Sequence, residues 1–214
     1  PGQEVRVGIV DGPLGVGTVT TVGDETVDLR CAFDEAIPPR PALDLLLALP
    51  RPKVLRRLWA QLAALGVGRI VLTNAERVER HYFDAHVLLP EVYGPLLIEG
   101  LQQARDTRVP RVTIARRLKP LIEDELDALC PDTARIVLHP GADAPLDAVA
   151  HAAAGTTRIL LAIGPEGGWN AFELALLRAH GFVEAGMGSR TLRTDTACVT
   201  ALAIVSAAVG ARRV

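Results

Sequence analysis

The sequence predicts an α/β protein with a mostly parallel sheet and helices on both faces. Two observations carry this prediction. Short apolar segments alternate with helical periodicities from Pro52 onward, and strands that alternate with helices form parallel sheets. Glycine-rich loops follow two of the later apolar segments, at 164–168 and 186–188. Ligands of such sheets bind at the carboxyl ends of strands, which places a candidate site at these loops.

The first 41 residues follow a different pattern. Apolar residues alternate with small or charged ones at 5–9 and again at 27–29, with glycine turns between them, which predicts short strands. Three or four strands are too few to close a barrel, and they leave unpaired edges. Two explanations stay open: further strands precede Pro1 in the native gene, or these strands dock on the larger domain. Residues 38–41, Pro-Pro-Arg-Pro, predict a stiff linker.

The larger part of the chain begins with a helix. Leu55, Trp59 and Leu62 share one helical face, so Trp59 is predicted to lie in the core. Pro52 suits the first turn of this helix and Gly66 its C-terminal cap. The same criteria predict, in order, a strand at 70–72, a helix within 91–105, a strand at 112–114, a helix at 120–129, a strand at 135–138, a helix at 146–153, a strand at 159–163, a helix at 171–180, a strand at 183–187 and a helix at 195–209.

The composition is that of a globular protein. Apolar residues make up 49% and charged residues 22% of the chain, which excludes a disordered or fibrous protein. The longest uncharged run, 196–211, has 16 residues, fewer than the roughly 20 of a membrane span, and no secretory leader opens the chain. Three widely spaced cysteines argue against a disulfide framework and a thiolate metal site. We therefore expect a cytoplasmic protein that uses no membrane and no metal.

Positive charge is concentrated in the middle of the chain. Residues 51–119 carry 13 basic and 6 acidic side chains, although the net charge of the chain is −2. Such a block suits a polyanion, because neutralising phosphates releases counterions, and arginine suits bidentate contact with phosphate. The large excess of arginine over lysine also fits a GC-rich coding bias. Charge alone leaves nucleic-acid binding and an ordinary solvated surface as alternatives.

The first informative loop is 164–170, Gly-Pro-Glu-Gly-Gly-Trp-Asn, which follows an apolar strand. Asn170 and Glu173 have the spacing of a capping box and predict a helix start. The glycines would let main-chain amides approach a ligand, but a tight turn alone would explain them equally well. The loop lacks the spacing of the known phosphate-binding glycine motifs.

The second informative loop is 186–196, Gly-Met-Gly-Ser-Arg-Thr-Leu-Arg-Thr-Asp-Thr, which follows the next strand. It places Arg190, Arg193 and Asp195 near a helix start. Cations are disfavoured at a helix N-terminus, so the arginines are predicted to serve something other than helix stability. If the two strands are adjacent, both loops line one crevice.

Together these loops resemble the paired signature of the RsmE family, SPOUT-superfamily enzymes that methylate N3 of a uridine in small-subunit (16S) ribosomal RNA. The family pattern is G-P-E-G-G followed by L-G-x-R-I-L-R-x-E-T-A, and the resemblance covers about residues 53–210. Asp195 replaces the usual glutamate and keeps its charge. Gln61, Ala64, Val78 and Asp106 also depart from the family pattern, which concerns the RNA-facing surface more than the cofactor pocket.

The resemblance implies a fold, a cofactor and partners. Residues 42–214 would form a SPOUT-type parallel sheet with a C-terminal trefoil knot, and residues 1–41 a partial PUA-like β-barrel that binds RNA, with its linker. S-adenosylmethionine would bind in the knot. The RNA of the small ribosomal subunit would be the substrate, and the enzyme would be a homodimer. The apolar last helix would be buried in the knot or in the dimer interface.

The resemblance also implies the site residues. Arg190 or Arg193 would stabilise negative charge on the base carbonyls, and Asp195 or Glu166 would accept a proton. Structural roles remain open for two of them: the contact of Glu166 with loop amides is favoured over a catalytic role, and Arg193 would equally pair with Asp195. The implied cofactor-binding residues are Leu138, His139, Pro140, Ile163, Gly164, Pro165, Glu166, Gly167, Gly168, Met187, Gly188, Ser189, Arg190, Leu192, Arg193 and Thr194.

Other functions stay open at this point. A related enzyme that methylates ribose 2′-oxygens or another RNA would carry similar loops, and so would a non-catalytic RNA-binding or ribosome-assembly protein. His81 and His86 are five residues apart, which does not place two ligands on one helical face. We expect them to be surface residues.

Overall fold

The computed structural model describes residues 1–153, 155–156 and 158–210 and contains two β-sheets. Residues 154, 157 and 211–214, which fall inside the predicted domain 42–214, lie outside the described residues. An antiparallel sheet consists of β1 (Glu4–Gly8), β2 (Leu14–Val22) and β3 (Val27–Phe33), in that order. A parallel sheet has the order β6-β5-β4-β8-β7-β9, with β4 (Leu43–Ala48), β5 (Val67–Thr73), β6 (Arg111–Ala115), β7 (Thr133–Leu138), β8 (Arg158–Ile163) and β9 (Phe182–Ala185).

The helices lie between the parallel strands, so the predicted α/β class with a parallel sheet is confirmed. They are α1 (Pro52–Ala64), α2 (Pro90–Ala104), α3 (Leu118–Pro120), α4 (Leu126–Leu129), α5 (Leu146–Ala153), α6 (Ala171–Ala179) and α7 (Thr194–Gly210). Two 3₁₀ turns precede α2, at Arg80–Asp84 and His86–Leu88. The helix predicted at 120–129 is instead α3 and α4 joined by a π turn at Leu121–Glu125. Pro120 has no N–H to donate, and the helical hydrogen bonding changes directly after it.

The strand β4 is absent from the sequence prediction, although it lies in the middle of the sheet. All six of its side chains are buried, and it pairs in parallel with β5 and β8. A strand covered on both faces is apolar throughout and shows no alternation. Its leucines also favour helix, so periodicity cannot identify such a segment.

The antiparallel sheet docks on the rest of the molecule through its β1–β2 turn. The Asp11 N–H donates to the Thr107 carbonyl at 2.8 Å, and the buried Thr107 hydroxyl donates to the Gly12 carbonyl at 2.6 Å. Arg40, in the predicted linker, donates to the Asp11 carboxylate at 2.9 Å. Docking, one of the two explanations left open for these strands, is therefore observed.

The predicted apolar face of α1 is buried against the sheet and α2. Leu55, Trp59 and Leu62 have no exposed surface, and the Trp59 indole donates to the Val87 carbonyl at 3.1 Å. The two helices cross closely at Gly100, where an added Cβ would lie 2.1 Å from a backbone oxygen of α1. Trp59 is therefore a core residue, as predicted.

Helix α7 packs against α5, α1 and the central strands β4 and β8. Its inner face, which includes Cys198, Leu202 and Val205, is fully buried. Its outer face is exposed at Ala203 and Ala207. No helix in the described part of the chain is both long enough and apolar enough to cross a bilayer.

A buried ion pair joins the amino ends of β4 and β8. Arg158 donates to both carboxylate oxygens of Asp44, at 2.6 and 3.0 Å, and also to the Pro41 carbonyl at 3.0 Å. Asp44 is 1% exposed. The hydrogen bond that Arg158 donates to Asp44 raises the pKa of Arg158, so the guanidinium stays protonated under all ordinary conditions.

We expect Arg158→Ala to lower the free energy of unfolding by about 3 kcal/mol, because truncation leaves a buried carboxylate without its cation. Urea unfolding measures this change. Arg178→Ala is the control, since it removes an exposed ion pair with Glu184 and should cost at most about 1 kcal/mol. Equal costs for the two variants would contradict this role of the Asp44–Arg158 pair.

The three cysteines differ in reactivity. Burial raises the pKa of Cys130 to about 11 and that of Cys198 to about 12, whereas Cys31 is exposed on β3. The thiolate is the reactive form, so at about pH 8 we expect an aromatic disulfide reagent to label Cys31 alone in the native protein. Peptide mass spectrometry after labelling, with and without urea, measures this. Labelling of Cys198 in the native protein as fast as Cys31 would contradict the burial of Cys198 on the inner face of α7.

Candidate active site

A cavity of about 290 Å³ lies at the carboxyl edge of the parallel sheet, where β7, β8 and β9 end. Its volume is near the lower limit of roughly 300–1,000 Å³ for small-molecule sites. Three strand-following loops and the start of α7 form its walls. The lining residues are Leu138, His139, Pro140, Ile163, Gly164, Pro165, Glu166, Gly167, Gly168, Trp169, Ala185, Met187, Gly188, Arg190, Thr191, Leu192, Thr194 and Ala197.

The two loops singled out in the sequence border this cavity, although their strands are not neighbours. Strand β7 lies between β8 and β9, and Ile136 pairs with Leu161 on one side and Val183 on the other. The condition that the two strands be adjacent is therefore not met. The loops still meet because parallel strands end at one edge of the sheet, and the loop after β7 supplies a third wall.

Fourteen of the sixteen residues expected to bind the cofactor line the cavity. Ser189 and Arg193 do not, and both are exposed. Of the three candidate catalytic residues, Arg190 lines the cavity, whereas Arg193 and Asp195 lie beside it. The lining residues that the sequence analysis did not select are Trp169, Ala185, Thr191 and Ala197. Ala197 follows Thr194 by three positions on α7, so helical spacing would have identified it.

The glycine loop folds tightly around Trp169. A Cβ on Gly164 would lie 3.1 Å from the Trp169 ring, so glycine permits this close approach. Gly168 has φ +74° and donates to the Pro165 carbonyl at 2.8 Å, which closes the turn. Trp169 is 5% exposed, and its indole N–H has no hydrogen-bond partner among the described residues.

The predicted capping box is confirmed at the start of α6. The Glu173 N–H donates to the Asn170 side chain, and the Asn170 N–H donates to the Glu173 carboxylate, both at 2.8 Å. The second oxygen of Glu173 accepts from the Glu76 N–H at 2.7 Å. One buried carboxylate therefore joins the glycine loop to the loop that follows β5.

Two arginines from other elements hold the same loop from outside. Arg51, directly before α1, lies 3.0 Å from the Glu166 carboxylate, and Arg77 donates to the Gly167 carbonyl. Among the described residues, Glu166 accepts no hydrogen bond from a loop amide, which was the alternative left open for it. Both arginines belong to the basic block 51–119, and here they contact protein groups.

Asp195 has a partner that the sequence did not suggest. Its carboxylate lies 2.8 Å from the Arg57 guanidinium of α1 and also accepts from the Thr196 N–H at 3.0 Å. The alternative pairing of Asp195 with Arg193 is not found within the described residues. Arg193 is exposed beside the cavity.

The loop after β9 is anchored to the start of α5. The Gly186 N–H donates to the Ala144 carbonyl at 2.8 Å, and the Leu146 N–H donates to the Gly186 carbonyl at 2.9 Å. Gly188 has φ +92°, a conformation that favours glycine. The cavity wall that ends in Arg190 therefore begins from a fixed point on the sheet.

The cavity combines apolar side chains with main-chain groups of two glycine turns. That lining suits an organic molecule with polar edges more than an inorganic anion. His81 and His86 are exposed, and no group of three metal-ligating side chains occurs in the part of the chain that the structure describes. Arg190, an exposed residue of the cavity lining, can stabilise a developing negative charge. A nearby carboxylate can accept a proton.

A family model described as an RNA methyltransferase domain matches residues 38–206. The chain belongs to this family. Ribosomal RNA small subunit methyltransferase E of Treponema pallidum is 34% identical over 165 residues, which are 77% of this chain and 62% of that protein. The protein of the same name from Mycobacterium tuberculosis is 27% identical over 207 residues, 96% of this chain and 78% of that protein. The RsmE resemblance is thus confirmed, and the chain spans less than two thirds of the Treponema relative.

Solved structures share the fold. The crystal structure of ribosomal RNA small subunit methyltransferase E from Neisseria gonorrhoeae, bound to S-adenosyl methionine, superimposes with a TM-score of 0.77 at 18% identity and covers 97% of this chain and 84% of that one. A methyltransferase from Legionella pneumophila in complex with the same cofactor gives 0.69 at 23% identity, with the same coverage. The parallel α/β fold is therefore one that methyltransferases share.

We expect Glu173→Ala to lower the free energy of unfolding by about 2 kcal/mol, because it leaves the Glu76 and Asn170 N–H groups without their buried acceptor. Urea unfolding measures the loss. Glu99→Ala, at an exposed position on α2, is the matched control and should change stability by no more than about 0.5 kcal/mol. A neutral Glu173→Ala would show that the two loops are held together by other contacts.

Proposed function

We propose that this chain is an S-adenosylmethionine-dependent RNA methyltransferase that methylates N3 of a uridine in small-subunit (16S) ribosomal RNA. One observation carries the proposal: within the matched region 38–206, the loops 164–168 and 187–194 border a single cavity. The relatives named ribosomal RNA small subunit methyltransferase E support the choice of RNA.

The proposal includes the organisation of the chain. Residues 1–41 are a partial PUA-like, RNA-binding β domain with its linker, and residues 42–214 are a SPOUT methyltransferase domain that ends in a trefoil knot. The separate antiparallel sheet β1-β2-β3 supports the first assignment. The packing of α7 against β4 and β8, after a loop anchored to α5, supports the second.

The cavity residues fit S-adenosylmethionine. Leu138, Ile163, Met187 and Leu192 supply apolar walls, and the glycine loop supplies accessible main-chain groups. The Trp169 indole is a buried donor without a partner among the described residues, and native proteins pair such groups with a ligand or water. When bound, the cofactor supplies a methyl group on a positively charged sulfur.

The chain itself contributes orientation, charge and a proton acceptor. Methyl transfer depends on holding the two reacting atoms in line, which is the task of the three cavity loops. Arg190, which lines the cavity, stabilises the negative charge that develops on the uracil carbonyl oxygens as N3 loses its proton. Arg193, exposed beside the cavity, contacts the RNA. Asp195 accepts the proton.

We also propose a homodimer that acts in the cytoplasm, where ribosomal RNA is the substrate, and that uses no metal. Phe172 on α6 and Val183 on the edge strand β9 are 61% and 54% exposed. Exposed apolar patches are typical of interaction surfaces, and the two side chains belong to elements that pack against each other. These two side chains support a subunit contact at this edge of the sheet.

Methyl transfer to ribosomal subunits tests the function. Small subunits that lack the modification are incubated with labelled S-adenosylmethionine, and the label is mapped by mass spectrometry. We expect N3-methyluridine in 16S RNA. Label on a ribose 2′-oxygen or in another RNA would indicate a different methylation. No label, together with no saturable heat when S-adenosylhomocysteine is titrated in a calorimeter, would indicate a non-catalytic RNA-binding protein.

We expect Arg190→Ala to lower kcat by about 100-fold, because it removes a donor aimed at the developing oxyanion. Turnover and S-adenosylhomocysteine affinity are measured separately, and the affinity should change much less than kcat. Arg178→Ala, which removes an arginine of α6 outside the cavity lining, should retain wild-type turnover. Unchanged turnover of Arg190→Ala would remove Arg190 from the mechanism.

A further inference from the structure

An ion pair beside the cavity joins α1 to the first turn of α7. Arg57 Nη2 lies 2.8 Å from Asp195 Oδ2, although the two residues are 138 positions apart. Asp195 directly follows Thr194, which is buried and lines the cavity. The Asp195 side chain keeps 24% of its surface exposed. Asp195 does not itself line the cavity, but it lies one residue from the wall and remains partly accessible from the solvent.

The stability of the helices does not explain Arg57. It lies in the middle of α1, away from the helix ends where charge interacts with the dipole. The Arg57 side chain is 57% exposed, and ion pairs at such positions add little to the stability of the fold. The consequence of the pair is local, since it fixes the direction of one carboxylate.

The Asp195 carboxylate keeps room to accept a proton. Oδ2 accepts from Arg57, and Oδ1 accepts from the Thr196 N–H at 3.0 Å. A carboxylate has about four acceptor positions, so with these two contacts among the described residues each oxygen retains one lone pair that accepts no hydrogen bond from them. Two donors on opposite oxygens hold the group in one orientation without blocking it.

We propose that Arg57 is a positioning residue that holds the Asp195 carboxylate where it takes the proton of the substrate base. This rests on the proposed function. The N3–H bond of uridine breaks, and the proton forms an O–H bond with Asp195. The electron pair left on N3 forms the new N–C bond with the methyl group, whose bond to sulfur breaks with its electrons remaining on sulfur.

A double-mutant cycle tests the proposal through kcat and KM for methyl transfer to small ribosomal subunits. We expect Asp195→Ala to lower kcat by about 100-fold, because the proton acceptor is lost. We expect Arg57→Ala to lower kcat by about 10-fold, because the Asp195 carboxylate is then misplaced. The double variant should be no slower than Asp195→Ala alone, because Arg57 acts through Asp195. KM for the cofactor should stay within about twofold, and Arg57→Lys should recover part of kcat.

Arg178→Ala is a matched control. The Arg178–Glu184 pair has exposures of 55% and 21%, close to those of Arg57 and Asp195, and neither of its residues lines the cavity. It should retain the kcat of the wild type. A kcat for Arg57→Ala equal to that of Arg178→Ala, or losses that simply multiply in the double variant, would overturn the proposal.

A second readout does not depend on activity. The free energy of unfolding in urea of the same four proteins gives the coupling between the two side chains, and we expect a coupling that salt weakens. Absence of a coupling free energy between Arg57 and Asp195 would overturn the proposed positioning of Asp195 by Arg57, whether or not the chain methylates RNA. A coupled pair in a wild type that methylates no RNA would instead overturn the proposed function, and with it the role of Asp195.

Discussion

The parallel pairing of β4 with β5 and β8 is the constraint on which the rest of the structure depends. It places the carboxyl ends of all six strands at one edge of the sheet, so loops far apart in the chain meet there. The Asp44–Arg158 pair fixes the opposite end of β4 against β8. The cavity at β7, β8 and β9 therefore inherits its geometry from the pairing of the strands in the core.

Much of the fold could be predicted because the apolar residues of most helices and strands recur with the period of that element. Helix α5 has the bounds that the sequence predicts, α6 differs by one residue at its C-terminal end, and α7 differs by one residue at each end. Strand β4 could not be predicted, because six consecutive buried residues rich in leucine show neither the period of a strand nor that of a helix. The order of the strands was also beyond reach, since pairing is decided by packing across the whole domain.

The candidate site likewise has one part that could be predicted from the sequence and another that could not. The glycines and the capping box are local signals, and the loops that contain them border the cavity. The partners of these loops are not local: Arg77 is 90 positions from Gly167, and Arg57 is 138 from Asp195. Contacts at such separations follow from strand order, which a single sequence does not specify. The sequence therefore indicated the walls of the cavity, but not what holds them.

The structure also changes how the basic block should be understood. A count of charges treats every arginine at 51–119 as available to a polyanion, but Arg51 and Arg57 each pair with a carboxylate beside the cavity. Exposed pairs of this kind are screened by salt and contribute little to folding. They also offset the negative charge of Glu166 and Asp195, at the place where an RNA strand approaches in the proposed function.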